Sequence, residues 1–170
     1  MFKKIISAVI VIIMFISCKS SVLDANQFAK LAAEGESVEF ETITLEKGTS
    51  GNTDIEDQNL VIRNYDAFER LWNELYEGRE PMPEMPVIDF NSKMVIAALG
   101  GTKQHGGYSI EITELALSGD ELGVKVKSTE PADDCVTTMA LNSPFHLVKV
   151  KKMQASVSFY EVTEEQQCSN

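Results

Sequence analysis

Three kinds of apolar spacing follow one another along the chain. The first is an uninterrupted run, residues 5–16 (IISAVIVIIMFI), behind Lys3 and Lys4. It is too short to span a bilayer with ordinary flanks and has the build of an export leader. The second has helical period. Phe68, Leu71, Trp72 and Leu75 form one stripe, with Asn64 placed as the cap and Gly78 as the stop, and Pro81, Pro83 and Pro86 prevent continuation. Trp72 on that stripe reads as a core anchor. A shorter helix is expected within residues 19–36, where Asp24 suits the cap, Gln27 completes a capping box, Leu23 and Phe28 are spaced as a staple and Gly35 ends it.

The third spacing is alternation, which predicts strands. It covers residues 38–45 (VEFETITL) and 58–63, then 108–114, where Tyr108, Ile110 and Ile112 share a face, and 122–126, where Leu122, Val124 and Val126 do. Ser118-Gly119-Asp120 between the last two predicts an antiparallel hairpin. Residues 94–99 (MVIAAL) are continuously apolar, as in a strand buried on both faces, and 145–150 and 157–162 supply two more strands around the basic turn Lys151-Lys152. The expected fold is α+β, a mainly antiparallel sheet or sandwich with one principal helix. Its organisation is a leader (1–17), a tether carrying a short helix (18–37) and a single domain (38–170).

The leader ends at Phe15-Ile16-Ser17-Cys18, an apolar pair and a small residue directly before cysteine. This is the pattern of a bacterial lipobox, in which the thiol is acylated and the preceding peptide removed. A plain secretory signal, or one anchor helix with an incidental cysteine, is the competing reading. Acylation would place the chain in the cell envelope, attached to the membrane through lipid on Cys18. Lys19 in place of an acidic residue favours the outer membrane. Processing removes two basic residues and no acidic one, taking the formal charge from −11 to −13. Such a chain is repelled by nucleic acid and by anionic headgroups, so its membrane contact must come from acyl chains.

With Cys18 lipidated, Cys135 and Cys168 remain. In an exported chain an even pair reads first as one disulfide, contributing on the order of 3 to 4 kcal/mol. The rival is a reactive thiol beside His105 or His146, which needs a depressed thiol pKa. The two histidines have no metal-type companion at i+2, i+3 or i+4, and no nucleophile elbow or calcium loop is present. Residues 100–108 (GGTKQHGGY) fail as a phosphate loop, because the P-loop Lys-Ser/Thr is missing and the next element alternates like a strand. They read as a connection between adjacent strands needing at least one positive φ, with His105, Gly106, Gly107 and Tyr108 as a candidate interaction loop. No catalytic residue, metal or cofactor is expected.

Several segments taken together carry a resemblance: VIRNYDAFERLW, Asp89-Phe90 before MVIAALGG, HGGYSIEI, and Asn142-Ser143-Pro144-Phe145-His146 leading into LVKV. From about residue 58 to 162 the chain resembles the PrcB-type domain, named after a lipoprotein subunit of a bacterial cell-surface protease complex. The resemblance implies a non-catalytic accessory or interaction subunit, with a protease or another envelope protein as partner. Such a module should show an exposed apolar patch near the glycine loop. The alternative, a small-ligand-binding periplasmic lipoprotein, should show a concave apolar pocket.

Overall fold

The uninterrupted run at 94–99 becomes β5 (Lys93–Gly100), and its side chains divide strictly by parity. Val95, Ala97 and Leu99 pack under a helix, while Met94, Ile96 and Ala98 face a second sheet. A computed structural model describes residues 25–43, 48–49, 52 and 54–168. The expected leader, the lipid site Cys18 and the Asp24 cap lie outside those residues.

Around β5 the described elements are α1 (Ala25–Glu34), β1 (Glu36–Ser37), β2 (Phe40–Thr42), β3 (Gly48–Thr49), β4 (Asp57–Ile62) and α2 (Tyr65–Leu75). After it come β6 (Ser109–Ser118), β7 (Glu121–Pro131), β8 (Pro144–Lys151) and β9 (Ser156–Gln166). One sheet has the order β2-β8-β5-β4, with β3 also on β8, and the other β1-β6-β7-β9. The fold is α+β with mostly antiparallel pairing; β7 and β9 run parallel, in register from Glu121↔Ser156 to Pro131↔Gln166. The expected hairpin is β6–β7, turning at Gly119 with φ +58° and carrying a bulge between Ile112 and Glu114.

The layers follow from which faces are apolar. Phe68, Leu71, Trp72 and Leu75 of α2 cover one face of the β5-containing sheet, with Trp72 only 3% exposed and its indole N–H donating to the Pro83 carbonyl at 3.3 Å. The Asn64 side chain accepts from the Ala67 N–H at 2.9 Å, which satisfies one of the helix's open donors. Between the sheets, Met94, Ile96, Ile112, Leu122, Val124 and Val148 form the common core. Burying each such side chain stabilises by roughly 1.5–3 kcal/mol.

Three arrangements differ from the sequence expectations, each for a packing reason. Of the strand expected at 38–45, residues 44 and 45 lie outside the described residues, and the rest does not form one continuous strand with what precedes it. Glu36 and Ser37 pair with β6 in one sheet and Phe40 to Thr42 with β8 in the other, so the chain changes sheets at Val38 and Glu39. Residues 100–108 likewise join β5 to β6 across the two sheets, and not two neighbours within one. The short helix expected on the tether is docked: Phe28 and Leu31 of α1 are buried against Ala116 and Tyr160 on the outer face of the second sheet. Gly123 makes this approach feasible, since a Cβ there would lie 3.0 Å from Leu31 Cδ2 and 3.2 Å from Tyr160 Cε2.

Before β5, Asp89 organises the turn. Its carboxylate accepts from the Ser92 hydroxyl at 2.7 Å and the Asn91 N–H at 3.0 Å, while its carbonyl accepts from the Lys93 N–H at 2.8 Å. The Ser92 hydroxyl, then the Asn91 backbone and side chain, hold this carboxyl below its usual pKa.

Two outcomes are expected. Leu31→Ala should lower unfolding free energy by about 2–4 kcal/mol in urea titration, whereas a helix lying on a free tether would leave it unchanged. A depressed folded-state pKa for Asp89 means its contribution is complete above the unfolded carboxyl value and lost as pH falls through the folded one. Asp89→Asn should therefore flatten the acid side of the stability profile, read as urea midpoints between about pH 5 and pH 2.

Candidate functional site

The glycine connection and the segment between β7 and β8 are built against each other. Lys103 and Asn142 exchange backbone hydrogen bonds, Lys103 N–H to Asn142 O at 2.7 Å and Asn142 N–H to Lys103 O at 3.1 Å. The Asn142 side chain donates to the Tyr108 carbonyl at 2.8 Å, and the Thr102 and Ser143 hydroxyls meet at 2.9 Å. Gly106 N–H donates to the Thr138 carbonyl at 2.9 Å. Asn142 and Ser143 are buried, so these bonds answer groups that would otherwise cost about 1–3 kcal/mol each to leave unmade.

The glycines fit this contact in different ways. Gly107 has φ +96°, and a Cβ on it would sit 3.1 Å from Pro131. Gly101 has φ +66° and lies over Asp57, with a Cβ at 3.1 Å from the Asp57 Cβ. Gly106 has no positive φ, but a Cβ would run into the Thr138 hydroxyl. Around them His105 and Tyr108 stack at 5.1 Å between ring centroids, and Lys103 lies over the Tyr108 ring at 5.8 Å. His105 Nδ1 is 3.4 Å from the Thr137 hydroxyl. The candidate loop residues thus share one surface with residues 137–142.

Cys135 and Cys168 form a disulfide with Cα atoms 5.4 Å apart, tying this segment to the chain's end. Ala132 N–H donates to the Gln166 carbonyl at 3.2 Å beside it. As half of a disulfide, Cys135 carries no free thiol in this structure. His146 is placed elsewhere, between the sheets. Its Nδ1 accepts from the Ile112 N–H at 2.9 Å, which leaves Nε2 to carry the proton and donate to the Thr42 hydroxyl at 3.0 Å. The neutral ring therefore joins β6 at its bulge to β8 and β2. A positively charged ring has no acceptor for Ile112.

Residues 94–151 match the family model described as PrcB C-terminal. Over those residues the chain is similar to the PrcB C-terminal family. Neither the comparison with curated proteins nor that with solved structures gave a match. The matched residues are narrower than the resemblance read from sequence, which began near residue 58 and took in α2. They run from β5 through β8, so the PrcB C-terminal segment contains both loops, the hairpin, Asn142, Ser143 and His146.

Between the clamps the same segment presents apolar side chains to solvent. Val136 is fully exposed at 101%, Met139 at 93%, and Leu141 is half-exposed. Sequence reasoning passed over Val136 and Met139 because isolated apolar residues in a loop show no period. The available signal was their position between a cysteine and a buried Asn-Ser-Pro run.

Asn142→Ala should cost about 1–3 kcal/mol by denaturant titration, since it strips the donor from the Tyr108 carbonyl. Gly107→Val should destabilise by a comparable amount through its positive φ, while His105→Ala should leave the unfolding midpoint unchanged. A Gly107→Val protein as stable as the parent would contradict the clamp.

Proposed function

We propose that the chain is a lipid-anchored, non-catalytic interaction subunit of the cell envelope, docking a protein partner on the loop that bears Val136, Met139 and Leu141. One observation carries this reading: two apolar side chains stand fully in solvent on a segment fastened by a disulfide at one end and by the Lys103–Asn142 bridge at the other. Exposed apolar groups on an ordered support lose little conformational entropy on binding, which is how a preorganised contact gains affinity. The PrcB C-terminal match favours a subunit of a protease complex as the setting. The FISC site at Cys18 supports attachment by lipid, and Lys19 directly after it supports the outer membrane.

Among the described residues, the small-ligand alternative receives less support. The cleft beside the glycine loop has a volume of about 130 Å³, and a groove lined by Phe28, Val38, Phe40 and Leu115 about 150 Å³. Drug-sized ligands occupy roughly 300–1,000 Å³ of mostly apolar pocket. A wider depression of about 440 Å³ at Arg63, Asp89 and Lys152 is open. Its cations already hold backbone carbonyls, Arg63 that of Met153 at 2.8 Å and Lys152 that of Phe90 at 2.6 Å.

Affinity capture of the tagged full chain from membranes tests the proposal. A stoichiometric envelope partner should accompany the parent protein and be lost from a Val136→Ser/Met139→Ser variant of unchanged melting temperature. Undiminished capture by that variant would refute the docking loop.

A further inference from the structure

Two hydrogen bonds cross between the sheets at one seam, where the start of β8 meets β6. The Asn142 side chain donates to the Tyr108 carbonyl at 2.8 Å, and four residues further along each segment the Ile112 N–H donates to His146 Nδ1 at 2.9 Å. Both bonds span 34 positions of sequence, so they are successive rungs of the same seam. β1 leaves β6 at Leu115, whose carbonyl the Val38 N–H reaches at 2.9 Å. Among the described residues no strand flanks β6 on that side from Ile112 back to Ser109. His146 supplies the acceptor that a flanking strand would have supplied.

The two rungs differ in chemistry. An amide keeps its donor at any pH, whereas imidazole accepts at Nδ1 only while that nitrogen holds no proton. Protonation would point two N–H groups at each other, and Ile112, 1% exposed, has no ready access to water as a substitute. Among the described residues, the charged side chains around the ring are turned away from it. On β8 and β2, Lys149 pairs with Glu41 on the face opposite His146 and Thr42, and Lys151 shares that face. On β6, Glu111 alternates with the inward Ile110 and Ile112, and Glu114 pairs with Lys125, which lies over Phe28 on the outer face. β5 places Ala98 beside His146 and its one charge, Lys93, at the far end opposite Lys151; β3 brings Gly48 and Thr49. At the other rung Lys103 pairs with Asp57, and His105 stacks on Tyr108.

Both rungs lead straight into the fastened crossings. The glycine connection ends at Tyr108, just before β6, and the 132–143 segment ends just before β8. We propose that the seam is an acid-labile fastening of the docking loop: protonation of His146 releases Ile112, and the two crossings loosen with it. The inference rests on the docking-loop reading and adds its regulation, with the partner held near neutral pH and released in acid. An opened ring takes a proton from about pH 6.5 downward, whereas the closed rung requires it neutral. The rung's contribution is therefore complete above that range, and opening becomes up to about tenfold easier for each pH unit below it.

Amide hydrogen exchange on the oxidised full chain in detergent tests this at pH 7.5 and 5.5, each rate divided by that of an unstructured peptide at the same pH. Protection at Ile112 should fall about tenfold on acidification, and protection at Lys103 and Gly106 should fall with it. His105→Ala, which removes the other histidine, should respond as the parent does. His146→Asn, whose Oδ1 can accept from Ile112 without titrating, should not respond. Protection at Ile112 that is independent of pH in the parent, a response lost with His105, or one that persists in His146→Asn would overturn the acid-labile seam. A response confined to Ile112 would overturn its link to the loop. Partner capture should weaken at pH 5.5 for the parent and hold for His146→Asn, and equal weakening of both would overturn the regulation. The exchange measurement needs no partner, so its failure counts against the seam alone, and undiminished capture by Val136→Ser/Met139→Ser counts against the docking loop.

Discussion

The fold depends on the double burial of β5. A strand with Val95, Ala97 and Leu99 on one face and Met94, Ile96 and Ala98 on the other is stable only when both faces are covered and both backbone edges are paired. β4 and β8 pair its edges, and α2 covers one face. A whole second sheet covers the other, and that sheet then needs α1 behind it. Layering of this kind forces the chain to cross between sheets repeatedly, at residues 38–39, 100–108, 132–143 and 152–155.

Crossings are where backbone polar groups risk burial without partners; Asn142 and Ser143 of the segment that matches the PrcB C-terminal model sit at one of them, and His146 lies just beyond it in β8. His146 joins the two sheets at the β6 bulge, Ser143 meets Thr102, and Asn142 holds both Lys103 and Tyr108. Their chemistry is that of fastening. Because two crossings are fastened to each other on one end of the sandwich, the segment between β7 and β8 is presented on a support.

Much of this was legible in the sequence where a side-chain period existed. The 94–99 run gave β5 within a residue at each end, the Asn64-to-Leu75 stripe gave α2, and Ser118-Gly119-Asp120 gave the β6–β7 turn. What failed was anything set by tertiary partners. The alternation at 38–45 continues smoothly although the chain changes sheets at Val38, since side-chain parity carries no record of which strand is paired. Phe28 and Leu31 make too short a stripe to announce docking, which depends on Gly123 and Tyr160 about a hundred residues away. The glycine loop was read correctly as needing a positive φ, found at Gly101 and Gly107, but Thr138 as the neighbour that requires glycine at 106 was beyond sequence reasoning.

The central claim is that the docking loop is held in place before any partner arrives. Amide hydrogen exchange on the isolated, oxidised protein tests it directly at Lys103, Gly106 and Asn142, whose N–H groups bridge the two crossings. The account predicts that all three exchange far more slowly than an unstructured peptide, with protection falling when the Cys135–Cys168 disulfide is reduced. Exchange at unprotected rates in the oxidised, partner-free protein would contradict it.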